Sequence, residues 1–371
     1  MWKKGLSFLL FILISCSFTA SEIHASSFGV IEKESNRTLM PLRAVSDAFS
    51  VPVQWDHKKK VVTIDDKYTL AIGSKIIREN GVAVKQMDVQ PKMIQGTVYV
   101  PVRDVGFLFN TTVIWDSTQQ QVEFKVGDIL HKISAYDEKI VNKPKVSTEN
   151  KVVNTGGKSL TVNLVSINLL APNTTLHVEL AKNKLGSVES LASIAKSHGA
   201  KAAINGNYFD AYTNNATRLV YNGLVMNGER IKPFDPKFSV FYYTKNGDVG
   251  ILSGSAFMER FEKGDVQEAI QVGPRLLTNS QITVDPVSEG FSSTKILNSP
   301  ATRSAIGILK NRQIIFVTTN NATIQQLASI MKQLGAVDAM NSDGGASSGL
   351  YANGKYLMTP GRDIAVGLLV K

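Results

Sequence analysis

The sequence predicts an α+β chain folded in parts: a small β-rich tandem-repeat domain, then a larger α+β domain built on a mixed sheet. Three observations carry this. Residues 37–64 and 97–124 repeat one another at a spacing of 60, and residues 191–205 and 327–341 at a spacing of 136. Around the second pair, strand-like runs outnumber helical ones, which favours α+β over a doubly wound α/β fold. At about 150 residues per domain, 371 residues suggest two or three domains. With 43% hydrophobic and 19% charged residues the chain can bury a core, so wholesale disorder is excluded.

Residues 1–25 begin with Lys3 and Lys4, run through an apolar stretch from Leu6 to Ile14, and close on small and polar residues up to Ala25. That order is the n-, h- and c-region pattern of an export signal. The apolar run falls short of the roughly 20 residues a bilayer span needs, and no later stretch is longer. Leu13-Ile14-Ser15-Cys16 resembles a bacterial lipobox, which would keep Cys16 as a lipid anchor. Cleavage after Ala20 or Ala25 would instead release a secreted protein. Both exits stay open. Cys16 is the only cysteine, which excludes a disulfide framework, a Cys-rich zinc site and a CxxC redox pair. None of the five histidines forms HExxH, so zinc-peptidase chemistry is not expected. A formal net charge of +10 favours anionic partners: wall polymers, phospholipid or phosphorylated glycans. No RNA-binding motif is present, and nucleic acid is not expected.

In the first repeat, Pro41, Arg43, Phe49, Trp55 and Asp56 superpose on Pro101, Arg103, Phe109, Trp115 and Asp116. Each copy reads as a strand, a helix starting at the proline, a Trp-Asp turn and a second strand. Residues 61–73 and 82–89 add strands. The paired PLR…WD and PVR…WD motifs of residues 28–127 resemble the copper amine oxidase N-terminal-like (stalk) domain of exported bacterial proteins. The resemblance implies attachment or spacing at the cell surface, including contact with a cell-wall polymer. Copper is not expected, because His57 is the repeat's only histidine. The tryptophans are expected as core anchors. Residues 128–158, rich in Lys, Asn, Ser and Thr around Lys143-Pro144-Lys145, read as a linker in which residues 129–135 alternate weakly.

The domain at 159–371 carries the second duplication, with nine of fifteen aligned positions identical. Each copy opens as an amphipathic helix. Val188, Leu191, Ile194 and Ala195 share one face of the first; Ile324, Leu327, Met331 and Leu334 share one face of the second. Ser187 and Thr323 are the expected N-caps, and Gly199 and Gly335 the helix stops. A short apolar strand and a polar loop follow each, residues 205–210 and 341–348. Side by side, these loops would set Asn205 and Asn207 across from Asn341 and Asp343, at the strand ends where ligands gather. The alternative is two turns that reuse Asn and Gly for positive φ. A turn, however, does not require Asp343 beside Gly344, Gly345, Ser347 and Ser348. Other strands are expected at 159–170, 175–181, 219–226, 239–244, 249–252, 302–309, 313–319 and 364–370. Residues 345–349 match G-x-S-x-G, but no histidine follows His198 and a hairpin, not a helix, is expected after Ser347. A serine hydrolase is rejected.

Four stretches, Ala203-Ile204-Asn205-Gly206-Asn207-Tyr208-Phe209, Val272-Gly273-Pro274-Arg275-Leu276-Leu277, Arg303-Ser304-Ala305-Ile306-Gly307 and Asn341-Ser342-Asp343-Gly344-Gly345-Ala346-Ser347-Ser348, occur in that order, with Arg362 closing the series. Over residues 160–371 the chain resembles the phosphodiester glycosidase family, whose typical member removes N-acetylglucosamine from its phosphodiester link to mannose 6-phosphate. Asn207 and Ala346 stand where many relatives carry glycine. The resemblance implies hydrolysis of a sugar–phosphate bond. A phosphate leaves as a stable anion, so one carboxylate and cationic support suffice, where other glycosidases need two carboxyl groups. Asp343 is then the expected nucleophile or base and Arg303 the phosphate clamp, its planar fork matching two oxygens. The Gly344 and Gly345 N–H groups and the Ser347 hydroxyl are expected as further donors. Asn205, Gly206, Asn207 and Asn341 would position the sugar. Asp210 is a second candidate carboxylate, Arg275 either binds phosphate or forms an ordinary salt bridge, and Arg362 would face the site. No cofactor is expected, although Asp343, Asn341 and Asp210 offer hard oxygen ligands for Ca²⁺. A non-catalytic wall-binding protein recognising anionic glycan is the competing reading, and transfer in place of hydrolysis stays open.

Overall fold

The computed structural model describes residues 28–371, so the export pattern and Cys16 lie outside the described residues. The chain divides into two compact units between Ala135 and Tyr136. Among the described residues, no helix is long and apolar enough to cross a membrane.

In the first unit, strand Thr38–Pro41 runs into helix Leu42–Ala48, and strand Thr97–Pro101 into helix Val102–Leu108. Both prolines are the helix N-caps, and the two strands pair antiparallel with Met40 opposite Val100. Strands Val53–Asp56 and Val113–Asp116 each end in a turn closed by the aspartate. Asp56 Oδ1 accepts the N–H groups of Lys58 and Lys59, and Asp116 Oδ1 those of Thr118 and Gln119. The aromatic centre is phenylalanine: Phe49 stacks on Phe109 at 5.1 Å and on Phe124 at 5.7 Å. Trp55 packs partly buried against that core, but Trp115 is 36% exposed and is not the expected anchor.

Most of the segment read as a linker is paired. Strand Ile129–Asp137 runs antiparallel to Gln121–Val126, and Val146–Asn154 pairs with Ser159–Asn168 along its whole length. The linker-like composition of Val146–Asn154 belongs to a sheet edge, where nearly every side chain faces solvent. Even the Lys143–Lys145 bend is held, since Asn168 Nδ2 donates to Lys143 O at 3.0 Å.

The second unit has one seven-stranded and two five-stranded sheets. The expected mixed sheet is corrected: all neighbouring strands here run antiparallel. Neither duplicated helix serves as a crossover between parallel neighbours. Strand Ala202–Asn205 lies between Leu350–Ala352 and Val366–Val370, while Ala336–Asn341 lies between Ala301–Leu309 and Arg275–Thr278 in another sheet. Strand Gln313–Ala322 shows how the layers are held. Ile314 and Phe316 enter the core shared with Ile204, Leu368 and Phe241, whereas Ile315 and Val317 face helix Ile324–Gln333 through Leu327 and Met331.

Thr323 caps that helix in a reciprocal box with Gln326. The first helix begins later than expected, at Leu191, with Ser190 as its cap and Val188 off the helix. Glu189 bridges Ile364 through two backbone bonds, which keeps the preceding chain extended. Gly199 at φ +66° and Gly335 at φ +85° end the two helices in the left-handed region. Of the strand expected over 219–226, only Leu224–Met226 forms.

Candidate active site

Although their strands belong to different sheets, the loops after Asn205 and Asn341 interlock. Asn205 Nδ2 donates to Asp343 O at 2.6 Å, and its Oδ1 accepts from Ser304 Oγ at 2.8 Å and Gly349 N at 2.9 Å. Ser342 Oγ lies 2.5 Å from Asn205 O and 2.9 Å from Gly206 O, and Asp343 N donates to Gly206 O at 3.2 Å. Asn205, Ser304 and Ser342 are all buried, so these bonds join the two sheets through groups that water cannot satisfy. Asn207 stitches the next loop: its Nδ2 lies 3.1 Å from the carbonyls of Tyr221, Gly223 and Gln271. Those contacts take the place of the missing strand ladder before Leu224. Asn341 Nδ2 donates to Tyr208 Oη at 3.0 Å and Gly273 O at 2.9 Å. The Oδ1 atoms of Asn207 and Asn341 are buried and have no partner among the described residues.

This lattice presents Asp343. Burial pushes its carboxyl up to about 7, against the Ser347 hydroxyl, the Gly344 N–H and the Arg362 charge, which all favour the ionised form. A carboxyl so placed divides between acid and base near neutrality. A side chain at Gly344 would come within 3.3 Å of Thr302 O and 3.8 Å of Arg303 Nη1, so this glycine lets the loop pack closely on the Thr302–Arg303 strand. Gly345, at φ +64°, starts the short turn Gly345–Ser347 that brings the Ser347 hydroxyl back to the carboxylate.

Arg303 is 3% exposed. Its Nε donates to Ala322 O at 3.0 Å, and its Nη2 to Lys295 O at 2.8 Å and Ser299 O at 2.7 Å. Nη1 is the nitrogen turned towards Gly344. Arg362 carries a further positive charge, its Nη2 bonded to Tyr212 Oη at 3.1 Å. Tyr208, beside Asp343 and Arg303, donates to Gly273 O at 2.9 Å, and burial and the Asp343 charge hold its phenol well above the usual range.

Two family models match parts of the chain. Residues 198–371 match the family model described as phosphodiester glycosidase, and residues 23–124 that of the copper amine oxidase N-terminal domain. Over those C-terminal residues the chain is similar to the phosphodiester glycosidase family. Among solved structures it resembles the zebrafish N-acetylglucosamine-1-phosphodiester alpha-N-acetylglucosaminidase catalytic domain auto-inhibited by pro-peptide, at 18% identity over 62% of this chain and 84% of that one, TM-score 0.52. A hypothetical protein from Synechocystis is similar at 14% identity over 90% of this chain and 94% of that one, TM-score 0.51. Identities this low show a shared fold. No curated protein matches.

Within this domain several of the expected site residues are engaged by the protein itself. Asn205 and Asn207 hold backbone, as their bonds above show, and Gly206 lends its carbonyl to the Asp343 loop. The Gly344 N–H and Ser347 hydroxyl face the Asp343 carboxylate. The two-oxygen fork expected of Arg303 is spent on carbonyls, which leaves Nη1 alone to meet a ligand. Arg275 is the salt-bridge partner: Nη2 meets Asp338 Oδ1 at 2.5 Å, Nε meets Leu277 O and Nη1 meets Ile251 O. Asp210 N pairs with Leu219 O, and its carboxylate joins no ion pair among the described residues. No three acidic, histidine or cysteine side chains gather at metal-ligating distance among the described residues. The strand pair Leu350–Ala352 and Lys355–Met358 is the hairpin expected after the accidental G-x-S-x-G. Sequence reasoning missed Tyr208, Ser304 and Ser342, all inside motifs it had quoted, and Tyr212 and Lys295, which no motif marks.

Proposed function

We propose that the C-terminal domain hydrolyses the bond between a sugar's anomeric carbon and a phosphodiester oxygen, with Asp343 as the working carboxylate. One observation carries this reading: Asp343 sits near pKa 7 under the charge of Arg362, on the loop whose Gly344 lies beside Arg303 Nη1. Its ionised form attacks the anomeric carbon or takes a proton from the attacking water. As the C–O bond breaks, its electron pair passes to the phosphoryl oxygen. Arg303 Nη1 and Arg362 offset the charge that develops there, so a strong proton donor is not needed. Asn205, Ser304 and Ser342 act indirectly, by fixing the backbone from which Asp343 projects.

The family match and the printed substrate of the zebrafish enzyme put an N-acetylglucosamine-1-phosphodiester first among candidates. The export pattern of residues 1–25 and the net charge of +10 support a glycan of the cell envelope or its surroundings, with the N-terminal unit serving attachment or spacing. Purified protein is incubated with a panel of sugar-1-phosphodiesters, and free sugar and phosphomonoester are both quantified. The wild type releases the two in equal amounts, and Asp343→Ala loses roughly a thousandfold in rate. An intact panel, or full activity in Asp343→Ala, contradicts the proposal.

A further inference from the structure

Tyr212 lies on the loop between strands Ala202–Asn205 and Leu224–Met226 and is 78% exposed, yet two cations gather on its ring. Arg362 Cζ stands 4.6 Å from the ring centroid and Lys295 Nζ 5.5 Å from it. Arg362 Nη2 also donates to the phenol oxygen at 3.1 Å. Neither cation pairs with a carboxylate among the described residues. Two like charges beside one exposed ring repel each other, and an anion between them relieves that repulsion.

The cluster is joined to the Asp343 site by backbone. Lys295 O accepts from Arg303 Nη2 at 2.8 Å, and Gly361 N, next to Arg362, donates to Ala346 O at 2.8 Å within the loop that follows Asp343. The Arg362 charge is felt at the Asp343 carboxyl, and the hydrogen bond from Arg362, with the Arg362 and Lys295 charges behind it, draws the Tyr212 phenol below its ordinary range.

We propose that Tyr212, Lys295 and Arg362 form a phosphate-binding gate at the mouth of the Asp343 site, with the tyrosine hydroxyl holding Arg362 until a substrate phosphate displaces it. The proposal rests on the glycosidase reading for the origin of that phosphate. Charge balance explains why two cations are needed. A phosphodiester carries one negative charge; when the sugar–oxygen bond breaks, the electron pair stays on the phosphoryl oxygen and the monoester carries a second. Lys295 and Arg362 therefore hold the departing group more strongly than the intact diester, which is the condition for accelerating the step. The gate selects phosphodiesters over uncharged glycosides and predicts inhibition by the phosphomonoester product.

The test measures binding of inorganic phosphate to the whole protein by calorimetry, in the wild type, Lys295→Gln and Tyr212→Phe, beside hydrolysis by each. Tyr212 is exposed, so its loss does not threaten folding. Lys295→Gln weakens phosphate binding roughly tenfold, the effect of deleting a charged hydrogen-bonding partner. Tyr212→Phe keeps the ring but frees Arg362 from the hydroxyl, and tightens binding roughly threefold. A merely structural tyrosine would leave affinity unchanged or weaken it. Absence of phosphate binding to the wild type, or unchanged affinity in both variants, overturns the gate. Hydrolysis that persists alongside such a failure leaves the glycosidase reading standing. The two stated shifts without hydrolysis of any diester support the gate and count against the glycosidase.

Discussion

Asp343 is held by opposing forces. Burial disfavours its charge, while Ser347, Gly344 and Arg362 support it, and burial wins. The folded carboxyl titrates near 7 against 3.8 for the ordinary group, so the folded state binds the proton more tightly than the unfolded one. Its contribution to stability is present at low pH and is lost as pH rises through that window. Asp343→Asn has no such loss. Its stability relative to the wild type rises between pH 4 and pH 7, by up to about 1.4 kcal/mol per pH unit, and levels off above. Denaturant titrations of both proteins across that range check this; parallel curves would refute it. Asp343 beside Gly344 and Gly345 stands out in the sequence because an acid among donors has few bland explanations. The direction of the donors does not. The pattern Asn-Ser-Asp-Gly-Gly names the groups, but only the fold shows that the Ser347 hydroxyl and the Gly344 N–H turn inward to the carboxylate.

Helix Ile324–Gln333 positions the strand that ends in Asn341, and its first turn depends on the Thr323–Gln326 box. Thr323→Ala exposes the N-terminal N–H groups and costs about 1 kcal/mol, read as a lower denaturant midpoint with an unchanged slope. No change in midpoint would mean that packing of Leu327 and Met331 alone holds the helix. That cap was legible, since Thr followed three residues later by Gln precedes an apolar face. Ser187 was expected as the cap where Ser190 serves, because the helix start rests on the Glu189–Ile364 bridge, a contact between residues far apart in sequence. Strand Ser239–Thr244 matched its expected bounds through a run of buried aromatic and β-branched side chains. Val146–Asn154 was hidden by its exposure, as an edge strand shows little apolar alternation.

At the scale of the molecule, local pattern does not reveal which sheets meet, and antiparallel pairing throughout the second unit had no signature in the duplicated helices. Glu268 shows one such junction. It lies on strand Val266–Gln271, 3% exposed, and its carboxylate accepts Val178 N at 3.0 Å from strand Leu176–Leu180 of another sheet. Burial pushes it up to about 7, so it too weakens the fold as pH rises. Glu268→Gln gains stability relative to the wild type between pH 5 and pH 8, read as the difference in Tm; a constant difference would mean that the carboxyl does not titrate there. The role proposed for Asp343 at a sugar–phosphate bond is tested most directly by the pH dependence of kcat/KM for an N-acetylglucosamine-1-phosphodiester, in the wild type and Asp343→Asn. Activity is expected to rise with pH along a limb centred near 7 in the wild type and to be lost in the variant. Cleavage with a limb near 4, or undiminished in Asp343→Asn, would contradict it.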